Sequence, residues 1–521
     1  MAHQTIKYPI GIQSFQEIRN DGCIYVDKTM HIWNLVNNGK YYFLSRPRRF
    51  GKSLLLSTIE AYFKGRKDLF EGLAISEHER DWIEYPVLHF DLNAKEYDSP
   101  KALVELLTNA IRQFEREYEV TVDSSLSPEV QLGNLIIAIY EKCGKRNVVI
   151  LVDEYDKPLN SNVDNKQLFD LLQSTLKAFY GVLKSYDSYI KFAMLTGVAR
   201  FSKVSVFSDL NNLRDISLDN AFNEICGISE SELDCYFPKS IAVLAEASDM
   251  TVEATRSELK RMYDGYRFCG NMKSEGVYNP FSLLNCFVSK YFGEYWFESG
   301  TPTFLVKMLV KEGSDFSNLC FKVKENVLKG INVPENSVKA LMYQTGYLTI
   351  EGYDSRFRTY TVGLPNEEVR SGLFNLSFIV YGSKRANEFD ISLFVNDLEE
   401  GNVDAFMERL KCLIANIPYE QARESEATYH NVLFLLFTLL GYNIESEHHM
   451  SRGRSDLIVK TDRYIYLFEF KYDGTAEDAL RQIADRQYDA PYRAEGRGIV
   501  KIGVNFSSNE RNIDGWLVEK M

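Results

Sequence analysis

Residues 41–53 read YYFLSRPRRFGKS, and this stretch decides the fold of the first part of the chain. An apolar run at Tyr41–Ser45 leads into a basic loop, and a helical pattern opens at Lys52. A strand, a loop ending in Gly-Lys-Ser and a helix N-terminus are together the setting in which proteins hold phosphate groups. We therefore predict a phosphate-binding loop in which Gly51 lets the backbone approach the phosphates, Lys52 contacts the β- and γ-phosphates, and the Ser53 hydroxyl binds Mg²⁺.

Arg46 is a departure from the usual loop, which opens with glycine at that position. Arg49, Phe50 and Leu54 lie around the Gly-Lys-Ser triplet and complete the set that we expect to contact ATP. The triplet alone is common in proteins, so the alternative is a basic loop ahead of a helix, with no ligand. The strand before the loop and the helix after it favour the phosphate-binding loop.

An acidic turn after another apolar run supplies the second half of a nucleotide site. Residues 147–154 read NVVILVDE, so a strand buried on both faces would end at Asp153 and Glu154. Ligands of open α/β sheets bind outside the carboxyl ends of the strands, and Asp153 would lie there. We predict that Asp153 binds Mg²⁺ and that Glu154 acts as general base on the attacking water. A buried strand that merely ends in an acidic turn is the alternative.

Alternation of β-like runs with helical patterns over the first two hundred residues predicts an α/β fold whose parallel sheet is covered on both faces. The runs lie at 41–45, 87–92, 148–152 and 190–195, with helical patterns at 53–64, 101–118 and 167–184. In the sequence, one β-like run lies between the loop strand and the Asp-Glu strand, and another follows the Asp-Glu strand. This order is typical of P-loop proteins that have an added strand and a catalytic glutamate.

Polar residues after the last of these runs are candidates to act on the γ-phosphate. Thr196 follows the run directly and would sense that phosphate. Arg200 and Arg214 are candidates for an arginine that stabilises the charge of the transferred group. Asp156, just beyond the Asp-Glu pair, is expected to hold the turn rather than to bind metal.

A second α/β pattern begins near residue 424. It comprises a helix at about 427–440, strands at 455–459 and 464–470, a helix at about 476–488 and a strand at 498–504. Asp456 opens one strand, and Glu469 and Lys471 share a face of the next because side chains alternate along a strand. Two carboxylates can bind Mg²⁺ through oxygen, and a lysine can orient or deprotonate the water that attacks a phosphodiester.

Two further residues are candidates for this second site: Glu447, ahead of the strands, as a further metal ligand, and Gln482, on the following helix. A surface hairpin with an alternating salt bridge is the alternative, although Phe468 and Phe470 on either side of Glu469 favour a buried strand. Residues 421–521 hold 13 Lys/Arg and 16 Asp/Glu, so any DNA contact would depend on a local set of arginines. That set comprises Arg452, Arg454, Arg481 and Arg486.

The composition excludes several classes of protein. With 521 residues, 45% of them apolar, the chain has ample material for folded cores and is not disordered throughout. Its 60 Lys/Arg against 73 Asp/Glu give a net charge of −13, which excludes a basic coat over the whole surface. No stretch approaches the ~20 apolar residues of a membrane helix, and the first residues lack the basic-then-apolar pattern of a signal peptide. Eight cysteines without zinc-site spacing predict free thiols in a cytoplasmic protein with no membrane partner.

The two motif sets, with shorter segments spread over nearly the whole chain, resemble those of a bacterial family of AAA-ATPase-like proteins that carry a C-terminal PD-(D/E)XK-superfamily nuclease domain. The shorter segments are YPIG at 8–11, YVDKT at 25–29, DEYD at 153–156, LTGV at 195–198, NNL at 211–213, YDGY at 263–266, YNP at 278–280, GTP at 300–302 and QTGYL at 344–348. In that family arginine at position 46 looks usual.

The resemblance implies four regions. They are an AAA-like P-loop ATPase core at 1–232, a helical lid at 233–270, a middle or connector region at 271–380 and a PD-(D/E)XK nuclease-like domain at 381–521. It also implies that Glu447 and Gln482 are motif residues of the nuclease.

From these observations we expect a module that binds and hydrolyses ATP and regulates a Mg²⁺-dependent nuclease acting on DNA, in a setting such as defence or mobile-element biology. ATP and DNA are the expected partners, and self-association stays open. The first alternative is a nucleotide-dependent switch protein whose nuclease-like domain binds DNA or a partner without cleavage. A P-loop motor or chaperone that acts on protein, and a kinase-like enzyme, are weaker alternatives, the last because no acceptor motif is visible.

Overall fold

The apolar run at Tyr41–Ser45 forms a strand in which every residue is buried. The structure is a computed structural model, and it describes residues 6–162, 165–198, 210, 212–296, 305–306, 308–309, 314, 316–330, 337–381, 391–415, 426–439, 443–450 and 453–521. The chain divides into two units. The first comprises Met1–Ser299 with Cys320–Glu368, and the second comprises Gly300–Leu319 with Val369–Met521.

Thirteen strands occur in the part of the chain that the structure describes. They are β1 Tyr41–Ser45, β2 Val87–Asp91, β3 Val148–Asp153, β4 Ile190–Gly197, β5 Arg214–Asp215, β6 Phe321–Lys324, β7 Thr349–Asp354, β8 Thr359–Gly363, β9 Asn443–Met450, β10 Gly453–Lys460, β11 Tyr464–Tyr472, β12 Gly498–Ser507 and β13 Asn512–Lys520.

The helices whose two ends lie in these same ranges are labelled in chain order. They are α1 Phe15–Asn20, α2 Thr29–Asn38, α3 Lys52–Phe63, α4 Pro100–Tyr118, α5 Pro128–Lys142, α6 Lys157–Asn160, α7 Lys166–Ser185, α8 Glu230–Tyr236, α9 Pro238–Ala247, α10 Val252–Tyr263, α11 Pro280–Ser289, α12 Glu325–Leu328, α13 Val338–Thr345, α14 Glu367–Tyr381, α15 Ile391–Glu400, α16 Val403–Ala415, α17 Glu426–Leu439 and α18 Ala476–Arg486. Short 3₁₀ turns occupy Lys67–Phe70, Ala74–Glu77, Asp187–Tyr189, Asn220–Phe222, Phe316–Asn318 and Ala490–Tyr492.

A parallel sheet of order β2-β3-β4-β1-β5 forms the centre of the first unit. Strands β1 and β3 are buried along their whole length, as continuous apolar runs in a sheet covered on both faces require. Strand β4 lies between β1 and β3, so an added strand separates the loop strand from the Asp-Glu strand. The predicted α/β fold with a parallel sheet is confirmed. Strand β5 and helix α5 were not predicted.

A separate apolar cluster joins the N-terminal segment to the helices that follow the sheet. Ile24 and Val26 pack against a core that includes Leu233 and Tyr263. Helices α9 and α10 follow each other in the chain, with a break at 248–251. Their packing fixes the segment before β1 against α8–α11.

An antiparallel sheet of order β6-β8-β7 completes the first unit. Strands β7 and β8 form a hairpin, and β6 pairs with the outer side of β8. Two short helices, α12 and α13, lie in the chain between β6 and β7.

The second unit contains a mixed sheet of order β13-β12-β11-β10-β9. The central pair β11 and β12 is parallel, and the outer pairs are antiparallel. Helix α18 connects β11 to β12 and buries Ala479 and Ile483 against the sheet. The predicted helix–strand–strand–helix–strand order is present, and β9 and β13 are additional strands.

The described residues contain no helix that is both long enough and apolar enough to cross a membrane. All eight cysteines lie in the described ranges, and none is in a disulfide.

Gly503 in β12 is expected to tolerate no side chain, because a Cβ there would overlap the carbonyl oxygen of Ala476 and lie 2.6 Å from the nitrogen of Leu480. Gly503→Ala should therefore lower the free energy of unfolding of the second unit by about 1–3 kcal/mol, the usual cost of overpacking. Denaturant unfolding followed by circular dichroism measures the change. Gly515→Ala in β13 is the matched control, because a Cβ at 515 meets no atom within 4 Å. Equal stability of the two variants would contradict the assigned packing.

Candidate functional sites

The loop between β1 and α3 has the conformation that its sequence predicts. Gly51 caps α3 with φ 93°, a left-handed conformation that favours glycine, and Arg49 has φ 66°. Helix α3 begins at Lys52, so the first backbone N–H groups of the helix, which have no partner within it, face the loop. A helix N-terminus of this kind attracts anions through its donors and its dipole.

Arg46 anchors the start of the loop. Its side chain is buried, and its guanidinium donates to the carbonyl oxygens of Ser45, Ser217 and Phe222 at 2.8–3.0 Å. The guanidinium also lies 4.2 Å from the ring centre of Phe268. The arginine that replaces the usual glycine therefore bonds to backbone around the loop. This role could not be predicted from the sequence, because the carbonyls of Ser217 and Phe222 lie more than 170 residues away in the chain.

Lys52 is buried with its ammonium group inside the loop. Its Nζ donates to the carbonyl oxygens of Arg46 and Pro47, both at 3.1 Å. These acceptors are neutral, so the positive charge of the ammonium group is not balanced by a carboxylate in these bonds. This arrangement suits a ligand that carries negative charge.

Strand β3 ends beside β4, and β4 in turn pairs with the loop strand β1. Asp153 is buried, and its Oδ1 accepts hydrogen bonds from the Thr196 hydroxyl at 2.7 Å and from the Glu154 nitrogen at 3.0 Å. Glu154 has φ 52°, which turns the chain sharply after the strand. Asp91, at the end of β2, pairs in register with Asp153 and was not singled out from the sequence.

Asp156 holds the turn after β3 to the end of β4. Its Oδ2 accepts from the backbone nitrogen of Val198 at 3.1 Å and from Asn160 Nδ2 at 2.5 Å. Gly197 has no room for a side chain, because a Cβ there would overlap Asp156 Oδ1. The bonds of Asp156 agree with the turn-holding role expected for it.

Ser53, Asp153 and Thr196 are the described residues whose oxygen chemistry suits Mg²⁺ with a nucleotide. Arg214 bonds Asp219 at 2.7 Å, so in this structure it is engaged with a carboxylate. Arg200 lies outside the described residues.

An apolar pocket adjoins the loop. Gly51 and Leu54 form one wall, and the N-terminal segment contributes Pro9 and Tyr25. Phe237, directly before α9, also belongs to the lining. Leu54 was predicted to contact ATP, and its position in this wall suits contact with the flat apolar face of a nucleobase.

A salt bridge and two hydrogen bonds tie the N-terminal segment to the helices beyond the sheet. Lys28 bonds Glu232 at 2.6 Å, and both side chains are largely buried. The Tyr8 hydroxyl donates to Ser240 Oγ at 2.7 Å, and the backbone nitrogen of Asp27 donates to the Tyr236 hydroxyl at 3.3 Å. The pocket is therefore enclosed by segments more than 200 residues apart in the chain.

The second unit brings four of the predicted residues together at one edge of its sheet. The paired residues Leu457 and Phe468 are the last in the β10–β11 register, and Asp456 and Glu469 come one step beyond them. Asp456 Oδ2 accepts from the Phe470 nitrogen at 2.9 Å. Lys471 Nζ lies 3.6 Å from Glu469 Oε1.

Gln482 of helix α18 bridges the other two side chains. Its Oε1 accepts from Lys471 Nζ at 2.7 Å, and its Nε2 donates to Glu469 Oε1. The helix therefore fixes the lysine and the carboxylate of β11 relative to each other. Glu447 lies in β9, where the side chains are outside the described part of the structure.

Glu469 has the electrostatic character of a ligand group. It is 1% exposed, and its Oε2 has no hydrogen-bond partner among the described residues. Burial and, to a smaller extent, the nearby Asp456 raise the pKa of Glu469 to about 8, although Lys471 lowers it. A buried carboxylate with an unpartnered oxygen beside a second carboxylate fits a divalent cation. Within the described ranges, no group of three or more His, Cys, Asp or Glu side chains converges at any place.

Comparison with known proteins identifies the same two regions. A family model described as "Predicted AAA-ATPase" matches residues 9–207, and a model of the PD-(D/E)XK nuclease superfamily matches residues 424–516. The fold and the sites therefore define a protein that joins an AAA-like nucleotide-binding module to a nuclease-like domain, as the sequence predicted.

The chain belongs to the family of AAA-ATPase-like proteins with a C-terminal PD-(D/E)XK domain. A relative from Azotobacter chroococcum mcd 1, described as an uncharacterized protein in the vnfD 5′ region, is 36% identical over 531 residues. The match covers 99% of this chain and 99% of that protein, so the two share their whole architecture.

A buried carboxyl group that the sequence did not single out is connected to the loop. Glu368 Oε1 accepts from Ser282 Oγ at 3.0 Å and from the Trp296 nitrogen at 2.8 Å. The Trp296 indole in turn donates to the carbonyl oxygen of Arg48 at 3.3 Å. Burial, with a smaller contribution from the nearby Glu294, raises the pKa of Glu368 from 4.5 to about 7, although the two hydrogen bonds lower it.

Glu368→Gln should remove a pH dependence of stability. Between pH 4.5 and about 7 the unfolded chain releases a proton that the folded chain keeps, so this group's contribution is full below pH 4.5 and is lost as the pH rises through about 7. A glutamine stays neutral. We therefore expect the variant to be more stable than the wild type at pH 8, by about 2–3 kcal/mol, and the difference to fall towards zero at pH 5. Urea unfolding at pH 5, 6, 7 and 8 measures it. A difference that does not change with pH would contradict the assignment.

Proposed function

We propose that this protein binds and hydrolyses ATP with Mg²⁺ in its first unit and cleaves DNA with Mg²⁺ in its second unit, and that the nucleotide controls the cleavage. The observation that carries the nuclease half of the proposal is the bonded set Glu469–Gln482–Lys471, in which one buried carboxylate oxygen has no partner within the described residues. A set that served only stability would leave no such oxygen, because an unpartnered buried acceptor is costly.

The roles of the nuclease residues follow from their contacts. Asp456 and Glu469 would hold the cation, which when bound supplies Lewis acidity and lowers the pKa of water. Lys471 lies beside the carboxylate and would orient the attacking water or take its proton. Gln482 holds the ammonium group of Lys471 at 2.7 Å and so is a positioning residue.

The roles of the nucleotide residues are supported by the loop and the pocket. Lys52, whose ammonium group bonds neutral carbonyl oxygens, would transfer its hydrogen bonds to the β- and γ-phosphates. The N–H groups at the start of α3 would bind the same phosphates, and the pocket lined by Leu54 would take the base. Asp153 and Ser53 would hold Mg²⁺, and Glu154 would act as general base. Nucleotide control needs a coupling of only ~1–3 kcal/mol between the sites.

Lys52→Ala should weaken nucleotide binding about 10- to 100-fold, because it removes charge-assisted hydrogen bonds to phosphate. Isothermal titration with ATP and Mg²⁺ measures the affinity. Lys64→Ala is the matched control: Lys64 directly follows α3 and bonds Glu60 at the surface, so its removal should leave the affinity unchanged. If Lys52→Ala binds nucleotide with the affinity of the wild type, the assignment of the loop is wrong.

Lys471→Ala should abolish Mg²⁺-dependent cleavage, with a loss of about 10²–10⁴-fold expected for a group that handles the proton of the attacking water. The assay is a panel of single-stranded DNA, double-stranded DNA and RNA with Mg²⁺, with and without ATP. Lys520→Ala, in the outer strand β13 of the same sheet, is the control and should cleave like the wild type. Cleavage by Lys471→Ala at the wild-type rate would show that the site lies elsewhere.

The second candidate function is a nucleotide-dependent switch whose nuclease-like domain binds without cleaving. The acidic balance of residues 421–521, with 13 Lys/Arg against 16 Asp/Glu, favours it, because it weakens the attraction of that unit for DNA. In the same panel, nucleotide binding without cleavage of any nucleic acid would support the switch and contradict the nuclease.

A further inference from the structure

The β7–β8 hairpin of the first unit ends in an exposed aromatic residue between two arginines. Residues 355–358 form the turn and read SRFR, and all four are exposed. Phe357 is 69% exposed, the highest value among the exposed large apolar side chains of the described residues. Arg356 lies over its ring at 5.3 Å, an arrangement that orients the ring. An aromatic side chain held in water in this way contributes nothing to the core.

Basic side chains continue from this turn along one face of the small sheet. Lys322 pairs with Thr361 and Lys324 with Thr359, so both lysines project on the same face of the sheet. Both lysines are exposed, and the β8 partner of Lys324 directly follows Arg358 in the chain. Residues 321–363 hold six Lys/Arg and four Asp/Glu, against a net charge of −13 for the whole chain. Lys322 and Lys324 of β6, with the two arginines of the turn, therefore place four exposed basic side chains in one part of an acidic protein.

We propose that this surface, comprising Lys322, Lys324, Arg356, Phe357 and Arg358, binds single-stranded DNA. The lysines and Arg358 contact phosphates, and the ring of Phe357 stacks on a base. Aromatic side chains flanked by basic residues bind single strands in this way, because every base offers a flat face and the phosphates supply the charge. A paired base in a duplex would first have to be unstacked, which favours the single strand as the occupant.

The surroundings of the hairpin indicate that the binding does not read sequence. Helix α13, which precedes β7, buries most of its residues, including Met342 and Tyr343, so it has little free surface for base edges. Asp354 bonds Arg356 at 3.3 Å, and this partial neutralisation leaves the other three basic residues of the surface to make the main phosphate contacts. Contacts to phosphates and stacking on one ring are both tolerant of sequence.

The test uses the full chain carrying Lys471→Ala, with fluorescence anisotropy of a labelled 30-nucleotide single strand and of the matching duplex between 50 and 200 mM salt. Adding Phe357→Ala should weaken single-strand binding about 10-fold or more without changing its salt dependence, because stacking carries no charge. Replacing Lys322 and Lys324 by serine should weaken binding and reduce the slope of log affinity against log salt by about 1.4, or 0.7 for each phosphate contact.

Two matched control variants test whether a loss of binding is specific to this surface, or follows from the removal of any exposed aromatic ring or any pair of positive charges. Tyr291→Ala removes a side chain that is 68% exposed, and replacing the exposed pair Arg112 and Arg116 by serine removes two positive charges from α4. Both controls should bind like the parent. Any one of three results would overturn the proposal. The parent does not bind the single strand, all variants of the surface bind it within twofold of the parent, or the parent prefers the duplex and Phe357→Ala does not change that preference. Cleavage is not measured in this test, so its failure is distinct from failure of the proposed nuclease.

Discussion

The buried guanidinium of Arg46 is the interaction on which the nucleotide-binding module depends. A cation taken out of water costs several kcal/mol unless its donors are satisfied, and here three carbonyl oxygens and the face of Phe268 surround it. Those carbonyls belong to Ser45, Ser217 and Phe222, which come from different parts of the unit. The start of the loop is therefore in its folded position only when the chain after β5 has docked against β1. A glycine at position 46 would place no such condition on the loop, because it has no side chain to bond to these carbonyls.

The rest of the loop is fixed by similar contacts with distant segments. Phe50 packs edge-on against Tyr266 at 4.7 Å, and Arg49 lies 3.8 Å from the ring centre of Phe281. A Cβ on Gly346 would come within 2.7 Å of Pro47, so the end of α13 is in close contact with the loop. Because β7 begins three residues after Gly346, a displacement of the loop by phosphate would be transmitted directly to the root of the basic hairpin. The packing thus provides a short physical connection between nucleotide and the proposed DNA surface.

The sequence was sufficient for those features that depend on local pattern. Buried parallel strands are continuous apolar runs, so β1 to β4 were predicted close to their observed bounds, and the alternation along β11 correctly grouped Glu469 with Lys471. Features that depend on which distant groups meet could not be read in this way. The partners of Arg46, the pocket wall built from Pro9 and Phe237, and the link from Glu368 through Trp296 all join residues that are remote in sequence. Strand β5 has two residues, too few to produce a pattern.

The net charge of −13 acquires a different meaning once the positions of the charges are known. Some of the carboxylates lie inside the fold: Asp156 is fully buried and bonded, and Asp153 accepts from Thr196. Charges in such positions act on their neighbours and contribute little to the potential felt by a nucleic acid at a distance, which mobile ions screen within ~10 Å. The arginines of the hairpin turn are exposed, so they can contact a phosphate group directly. Local placement, rather than the sum of charges, decides whether an acidic chain of this kind can hold nucleic acid, and the proposed surface draws its exposed basic side chains from β6 and from the β7–β8 turn.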